Sequence, residues 1–254
     1  MVTPDTFVHL RIRSASSILE SSVHVDALLA NCAEHGMPAA ALLDTNNMFA
    51  ALEFASKAVA VGIQPVHGCS VSLEIPGMIW SGIGMPALGL LAMNETGYQN
   101  LLALNTRLYL GPDRPSPCLS VQDLEQANEG LICLTGGANG ILGSMLIEGR
   151  LQSAQTLLET LCQVFPDRLY VELQRHPHEG TTCAAREEKT ELQMIKMAYA
   201  LSLPLVATND VQFLDSDAYD AVDLLFYIKH GGYATQHDKR RLLTREHGLK
   251  TPAE

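Results

Sequence analysis

The chain is short of positive charge: 17 lysines and arginines face 28 acids, leaving a net charge of −11 over 254 residues. Phosphate backbones are held by local positive charge, so this balance speaks against a nucleic-acid duplex as the segment's own main ligand. The most basic stretch, residues 239–245 (KRRLLTR), reads as a solvated linker. Long apolar runs are also missing, none reaching the ~18 residues of a membrane-spanning helix. No basic segment followed by an apolar core marks a secretory signal at the N-terminus. The six cysteines (32, 69, 118, 133, 162 and 183) are scattered without a CxxC pair. That argues against a zinc ribbon or a disulfide framework, and a cytoplasmic protein with reduced thiols is the expectation. Neither GxGxxG after a strand nor GxxxxGK[ST] occurs, so the common nucleotide-binding loops are absent. With 47% hydrophobic and 18% charged residues, the chain is globular rather than disordered.

What is present is a regular alternation of strand and helix. Phe7, Val8, Leu10 and Ile12 read as a first strand, with residues 14–17 as the loop at its end. A helix over 23–35 closes on Gly36, a strand follows over 39–44, and Asn46 or Asn47 is placed to cap a helix over 48–61. Glu53 and Lys57 pair on that helix, which ends at Gly62. Strands are expected at 65–73, 87–93, 131–135, 169–173 and 205–207. Helices are expected at 95–109 (capped by Asn94), 121–128, 141–149, 151–165, 185–201 and 217–228. Residues 76–86 and 111–119 read as irregular. Strands separated by such helices call for parallel pairing with right-handed crossovers, and six or seven units favour a closed barrel over an open doubly wound sheet. The turn 136–140 (GGANG) is a weak candidate for an anion nest and reads better as a plain turn.

Polar residues collect where these strands end: His9, Arg11 and Arg13, then Asp44, His67 and Ser70, then His176, then Asp210 and Gln212. In a closed barrel such ends converge on one mouth. Singly, each has an ordinary reading: a cap at Asp44, a surface loop at His176, packed core histidines at His9 and His67.

Together they fall in a familiar order. The segments FVHLRIRSASSILE, ALLDTNNMFAALEFASKAVAVGIQPVHGCS, LLAMNETGYQNLL, NEGLICLTGG, FPDRLYVELQRH, LPLVATNDVQFL and DAYDAVDLLFYI run collinearly along the chain. The chain thus resembles the N-terminal PHP (polymerase and histidinol phosphatase) domains of bacterial replicative DNA polymerase III alpha subunits. The resemblance implies an α/β fold, a distorted (β/α)7 TIM-like barrel. It implies a PHP domain over residues 1–230 and, over 231–254, the start of a linker towards a polymerase core. A fragment of a DNA-directed DNA polymerase, a nucleotidyltransferase acting in DNA replication, is therefore expected, with the catalytic palm and its divalent metal lying elsewhere.

Metal-binding PHP proteins hold a multinuclear cluster on histidines and carboxylates, which donate lone pairs and bridge cations on a phosphoester. Carried onto this sequence, the opening His-x-His motif falls on Arg11 and Arg13, and guanidiniums have only donors. The next acid is Glu20, Asp44 is kept, and its histidine partner is Thr45. Further motif positions fall on Ser70, Ala87 and Gly137. His176 matches, and the last Asp-x-His is Asp210-x-Gln212. Glu20, His176 and Asp210 are the residual metal candidates, and the expectation is that no metal binds this domain. Arg11 or Arg13 is expected to stand in for the cations by pairing with Asp210, Glu20 or Asp44. The implied role is a non-catalytic scaffold that stabilises the alpha chain and docks the proofreading exonuclease subunit, without direct nucleic-acid binding. The alternatives are a metal-dependent phosphoesterase or 3′–5′ exonuclease, and a pyrophosphate or phosphate site on Arg11 and Arg13.

Overall fold

A computed structural model describes residues 7–80, 85–111, 116–177, 180–231, 233 and 242–254. Residues 239–241 of the basic stretch and 1–6 of the first expected domain lie outside the described residues. The elements are α1 (Val25–Glu34), β1 (Ala39–Thr45), α2 (Ala51–Ala60), β2 (Gln64–Ser72), β3 (Ala87–Ala92), α3 (Glu95–Leu110), α4 (Val121–Gln126), β4 (Leu131–Leu134), α5 (Ile141–Ile147), α6 (Leu151–Val164), β5 (Leu169–Leu173), α7 (Thr182–Ala200), β6 (Leu205–Ala207) and α8 (Tyr219–His230). No helix among the described residues is long and apolar enough to cross a membrane.

The six strands stand side by side in sequence order. Ile12 forms parallel bridges both to Leu42 on β1 and to Val211 just beyond β6, so one residue joins the two edges of the sheet. The result is a distorted barrel whose seventh stave is a single residue with a bridge on each side. The expected first strand over residues 7–12 is therefore not a strand. Its sequence is short and punctuated by His9, Arg11 and Arg13, whose side chains the barrel interior uses for other bonds.

Uniformly parallel pairing is also corrected. β1–β2, β4–β5 and β5–β6 are parallel, whereas β3 runs antiparallel to both β2 and β4. A parallel return needs a crossover helix. The link after β2 carries Pro76, Gly77 and Pro86 instead, and no helix forms over its described residues. A second correction concerns α2, which starts at Ala51 behind Ala50 without a side-chain cap. Asn46 sits at φ +54 and Asn47 caps only Phe49 N, one turn too early. Asn94 does cap α3, accepting from Gly97 N. Gly36 and Gly62 end α1 and α2 at positive φ, as their sequence positions predict.

Alternation along the strands sorts the core. Ala40 and Leu42 face a cluster with Ile12, Leu28, Leu29 and Phe54 under α1 and α2. Cys69, Leu90, Cys133 and Val171 face a larger cluster beneath α3, α6 and α7. The opposite set, Ala41, Leu43, Leu91 and Leu134, packs together as the barrel's interior. Since Ile12 looks outward, Arg11 and Arg13 on either side of it look inward, one above that apolar floor.

Candidate functional site at the barrel mouth

Arg11 is 3% exposed and its guanidinium lies flat against Glu172 of β5, which is fully buried. Nε donates to Oε1 and Nη2 to Oε2, both at 2.8 Å, and Nη1 reaches Ser70 Oγ at 3.4 Å. Such a fork-to-fork pair is the strongest form of ion pair a guanidinium makes. Every remaining lone pair of the carboxylate is used. Gly136 N donates to it at 2.8 Å, Gln174 Nε2 at 3.2 Å, and the Thr208 hydroxyl makes a short bond to it. Burial alone would lower the Arg11 pKa, but Glu172 outweighs it and raises the value. Room for the guanidinium exists because β3 offers Gly89: a Cβ there would stand 2.7 Å from Arg11 Nη2. The 136–140 turn therefore does bind an anion with one N–H, and the anion is the chain's own carboxylate.

Arg13 lies at the wet side of the same mouth. Its Nη2 holds Asp210 Oδ2 at 2.9 Å and its Nη1 lies 3.4 Å from Glu20 Oε2. Glu20 also accepts from Thr45 Oγ1 at 2.5 Å and from Lys229 Nζ at 2.6 Å, and Gln212 Nε2 donates to Asp210 Oδ2 at 3.2 Å. Burial pushes the Asp210 carboxyl up, but Arg13 and then Arg11 prevail and hold it below the ordinary range. Glu20 follows the same pattern, with burial opposed by Arg13 and Lys229. Asp44 pairs with neither arginine. It accepts from Ser14 N, Ser14 Oγ and Ser17 Oγ, each at 2.7 Å, and so pins the 14–17 loop. Its pKa is raised, because burial outweighs those three bonds.

His176, at the end of β5, receives α7. Its Nδ1 meets Glu187 Oε1 at 2.5 Å and its backbone N donates to Glu187 Oε2 at 2.8 Å. Against its face lies His247, ring centroids 3.9 Å apart and planes within 8°. Burial first, then His176 and Arg13, push the His247 pKa down to about 3, so the imidazole is neutral. A cleft of about 420 Å³ opens above, lined by Arg13, Glu20, Thr45, Ala87, Asp210, Gln212 and His247 together with Arg186 and Lys229. Arg11, Ser70 and Gly137 lie beneath or beside it, Gly137 at φ +61 against Gln174. Of the expected positions, Arg13, Glu20, Thr45, Ala87, Asp210 and Gln212 line the cleft, whereas His67 packs against Phe54 and Tyr98 and His9 bonds the Lys250 carbonyl. Glu172, Glu187 and His247 are additions. Glu172 was detectable as a lone acid in an otherwise apolar strand, LYVEL, whereas nothing local marks His247.

Comparison with known proteins places this arrangement. A family model described as the PHP domain matches residues 9–176. The chain belongs to the PHP domain family. It is 41% identical over 258 residues to the DNA polymerase III subunit alpha of Caulobacter vibrioides, covering 98% of this chain and 21% of that protein. The corresponding Pseudomonas aeruginosa subunit is 33% identical over 253 residues, covering 98% and 20%. This PHP chain spans about a fifth of the length of these curated relatives. A crystal structure assigned as a metal-dependent phosphoesterase from Bifidobacterium adolescentis shares the fold, with TM-score 0.50 and 12% identity over 82% of this chain and 88% of that one.

The donor set of this PHP mouth does not fit a multinuclear metal cluster. Arg13 Nη2 lies against Asp210 Oδ2, where a cation would sit, and two fixed positive charges oppose a third. A second grouping, His176, Cys183 and His247, brings three ligand atoms within 4.8 Å of one another. Glu187 holds His176 Nδ1, which leaves Nε2 without a partner among the described residues, and burial followed by Glu187 raises the Cys183 pKa in the ion-free fold.

Proposed function

We propose that this PHP domain is a non-catalytic scaffold within a replicative DNA polymerase of the polymerase III alpha type. Its place in such a chain rests on the near-full coverage of this sequence by the alpha subunits of two bacteria. Its lack of catalysis rests on one observation: guanidiniums occupy the charge-balancing seats of the mouth, Arg11 against Glu172 and Arg13 between Asp210 and Glu20. An unpaired buried carboxylate is costly, and a fixed internal cation removes that cost without any metal. The hydrolytic and exonucleolytic alternative loses its cation seats to these side chains. The phosphate-binding alternative loses most of its donors, because Arg11 is sealed by Glu172 and Arg13 is shared by two carboxylates, with only its Nε left without a partner among the described residues. The domain's acidic surface suits docking of a protein, and the proofreading exonuclease subunit is the proposed partner, alongside the rest of the alpha chain.

Metal analysis of the purified chain, followed by melts with added zinc or manganese, tests the scaffold reading. The expected result is no bound metal, no rise in Tm and no phosphoester hydrolysis with manganese. A stoichiometric ion with a raised Tm would overturn it. Pull-down with the exonuclease subunit tests the docking separately.

A further inference from the structure

The cleft has a second wall, built without either motif arginine. Asn139 of the 136–140 turn, Ser144 and Glu148 of α5, and Thr182 and Arg186 of α7 line it. Positions 144 and 148, like 182 and 186, lie one helical turn apart and share a face. The two helices are fastened side by side, Lys189 Nζ donating to Ile147 O at 3.0 Å.

Arg186 is a half-buried cation whose partners are both neutral. Its Nε donates to Asn139 Oδ1 at 2.8 Å and its Nη2 reaches Ala138 O at 3.4 Å. Among the described residues no carboxylate comes within ion-pair distance of it. The acids of the cleft are engaged elsewhere: Glu148 by Arg150 Nε at 3.1 Å, Glu20 by Arg13 and Lys229, and Asp210 by Arg13. Burial lowers the Arg186 pKa and nothing nearby fully offsets it, the reverse of Arg11, whose value Glu172 raises. A guanidinium withdrawn from water without a counter-charge is costly, so its isolation points to an anion that is not part of the chain. Arg186 Nη1 and the hydroxyls of Ser144 and Thr182 make no hydrogen bond among the described residues. Two further donors lining the cleft, Arg13 Nε and Trp80 Nε1, are buried without a partner, against one such acceptor, Asp210 Oδ1.

We infer that the α5–α7 wall is an oxyanion site, holding a phosphate group on Arg186 with the hydroxyls of Ser144 and Thr182. A guanidinium matches phosphate oxygens in charge and in the direction of its N–H bonds. Hydroxyls from two different helices add donors outside its plane, which suits a tetrahedral anion better than a planar carboxylate. The site differs from a phosphate seat on Arg11 and Arg13, whose donors are mostly taken by the chain's own acids. It calls for binding without hydrolysis, and so goes beyond the scaffold reading without depending on it.

Calorimetric titration of the full chain with inorganic phosphate at low ionic strength, with acetate as the planar control, tests the site. The forms to compare are wild type, Arg186→Gln, Arg13→Gln and Ser144→Ala/Thr182→Ala, each checked by circular dichroism. Wild type should bind one phosphate per chain, more tightly than acetate, and saturating phosphate should raise its Tm. Arg186→Gln should weaken binding about tenfold or more, as loss of a charge-assisted bond does, and abolish the rise in Tm. Ser144→Ala/Thr182→Ala keeps the charge and should weaken binding about threefold. That variant carries the test if Arg186→Gln does not fold. No binding by wild type, acetate held as tightly as phosphate, or undiminished binding by either Arg186→Gln or the hydroxyl variant would overturn the site. So would a larger loss from Arg13→Gln than from Arg186→Gln, which would put the anion on the other wall. Each of these failures leaves the scaffold reading to the metal analysis that tests it.

Discussion

Arg11 and Arg13 stand two residues apart on the same inward face, yet they solve different problems. Arg11 meets one fully buried carboxylate in a dry interior, with every acceptor on Glu172 satisfied. Arg13 lies at the edge of an open cleft and divides itself between Asp210 and Glu20, the latter also held by Lys229. The first pair is a fixed part of the core. The second is an adjustable network whose members can exchange partners or take up water. One side-chain type at two neighbouring inward positions thus gives a rigid strut in one case and a charge buffer in the other, and the surrounding dielectric decides which.

The comparison is broken most directly at Arg11. Arg11→Met leaves Glu172 charged and unpaired, and the expected loss is about 3–5 kcal/mol in denaturant unfolding. Arg11→Met/Glu172→Gln should recover more than half of it. Asp210→Ala removes one of the two carboxylates of Arg13 and is expected to cost about 2 kcal/mol, with Asp210→Asn clearly milder because the amide oxygen still accepts. Equal costs at positions 11 and 210 would erase the distinction between dry and wet pairs. Gly89→Ala forces a methyl towards Arg11 and should cost about 1–3 kcal/mol by overpacking. That penalty should shrink in the Arg11→Met background, and a penalty of the same size there would show that the guanidinium is not what fills the space.

The last effect is a slope. His247 is neutral in the fold with a pKa of about 3 against an ordinary 6.5. Its contribution to stability is therefore full above pH 6.5 and is lost as the pH falls from there towards 3, at up to about 1.4 kcal/mol per unit. Asp210 and Glu20 are depressed as well, so their contribution is full above the unfolded carboxylate range and fades only below it. Replacing His247 with Phe should flatten the stability curve between pH 6.5 and the carboxylate range, while Asp210→Asn should change only its acid end. Chemical denaturation across pH measures both.

Much of this was legible in the chain. Strands β1 to β6 were all expected from the sequence, whereas the one alternating apolar run, residues 7–12, is not a strand; Gly36, Gly62 and Asn94 marked helix ends for reasons of backbone geometry. The direction of β3 was not legible, because a strand's own sequence is silent about its neighbours and only the helix-free link after β2 hinted at it. Of the site, the nearness of Arg13, Asp210 and Gln212 followed from barrel topology, whereas Glu20 and Thr45 came from the family resemblance. Asp44 was placed at the mouth, but its bonds to Ser14 and Ser17 depend on loop conformation. The partner of Arg11 came from a strand 161 residues away. His247 arrives on a segment that reads as linker and is buried only because the chain folds back on Phe213 and His176.

The missing side chain at position 89 carries a last consequence. The space over it is shared by the Arg11 guanidinium with Leu43 and Leu134, and Glu172, itself held by Gly136 and Thr208, meets that guanidinium from β5. A histidine at position 11 would be too short to make the same bonds and would leave Glu172 without its cation in a sealed interior. Positions 11 and 89 are therefore tied to each other by folding, and a change at either one alone breaks the same buried seat.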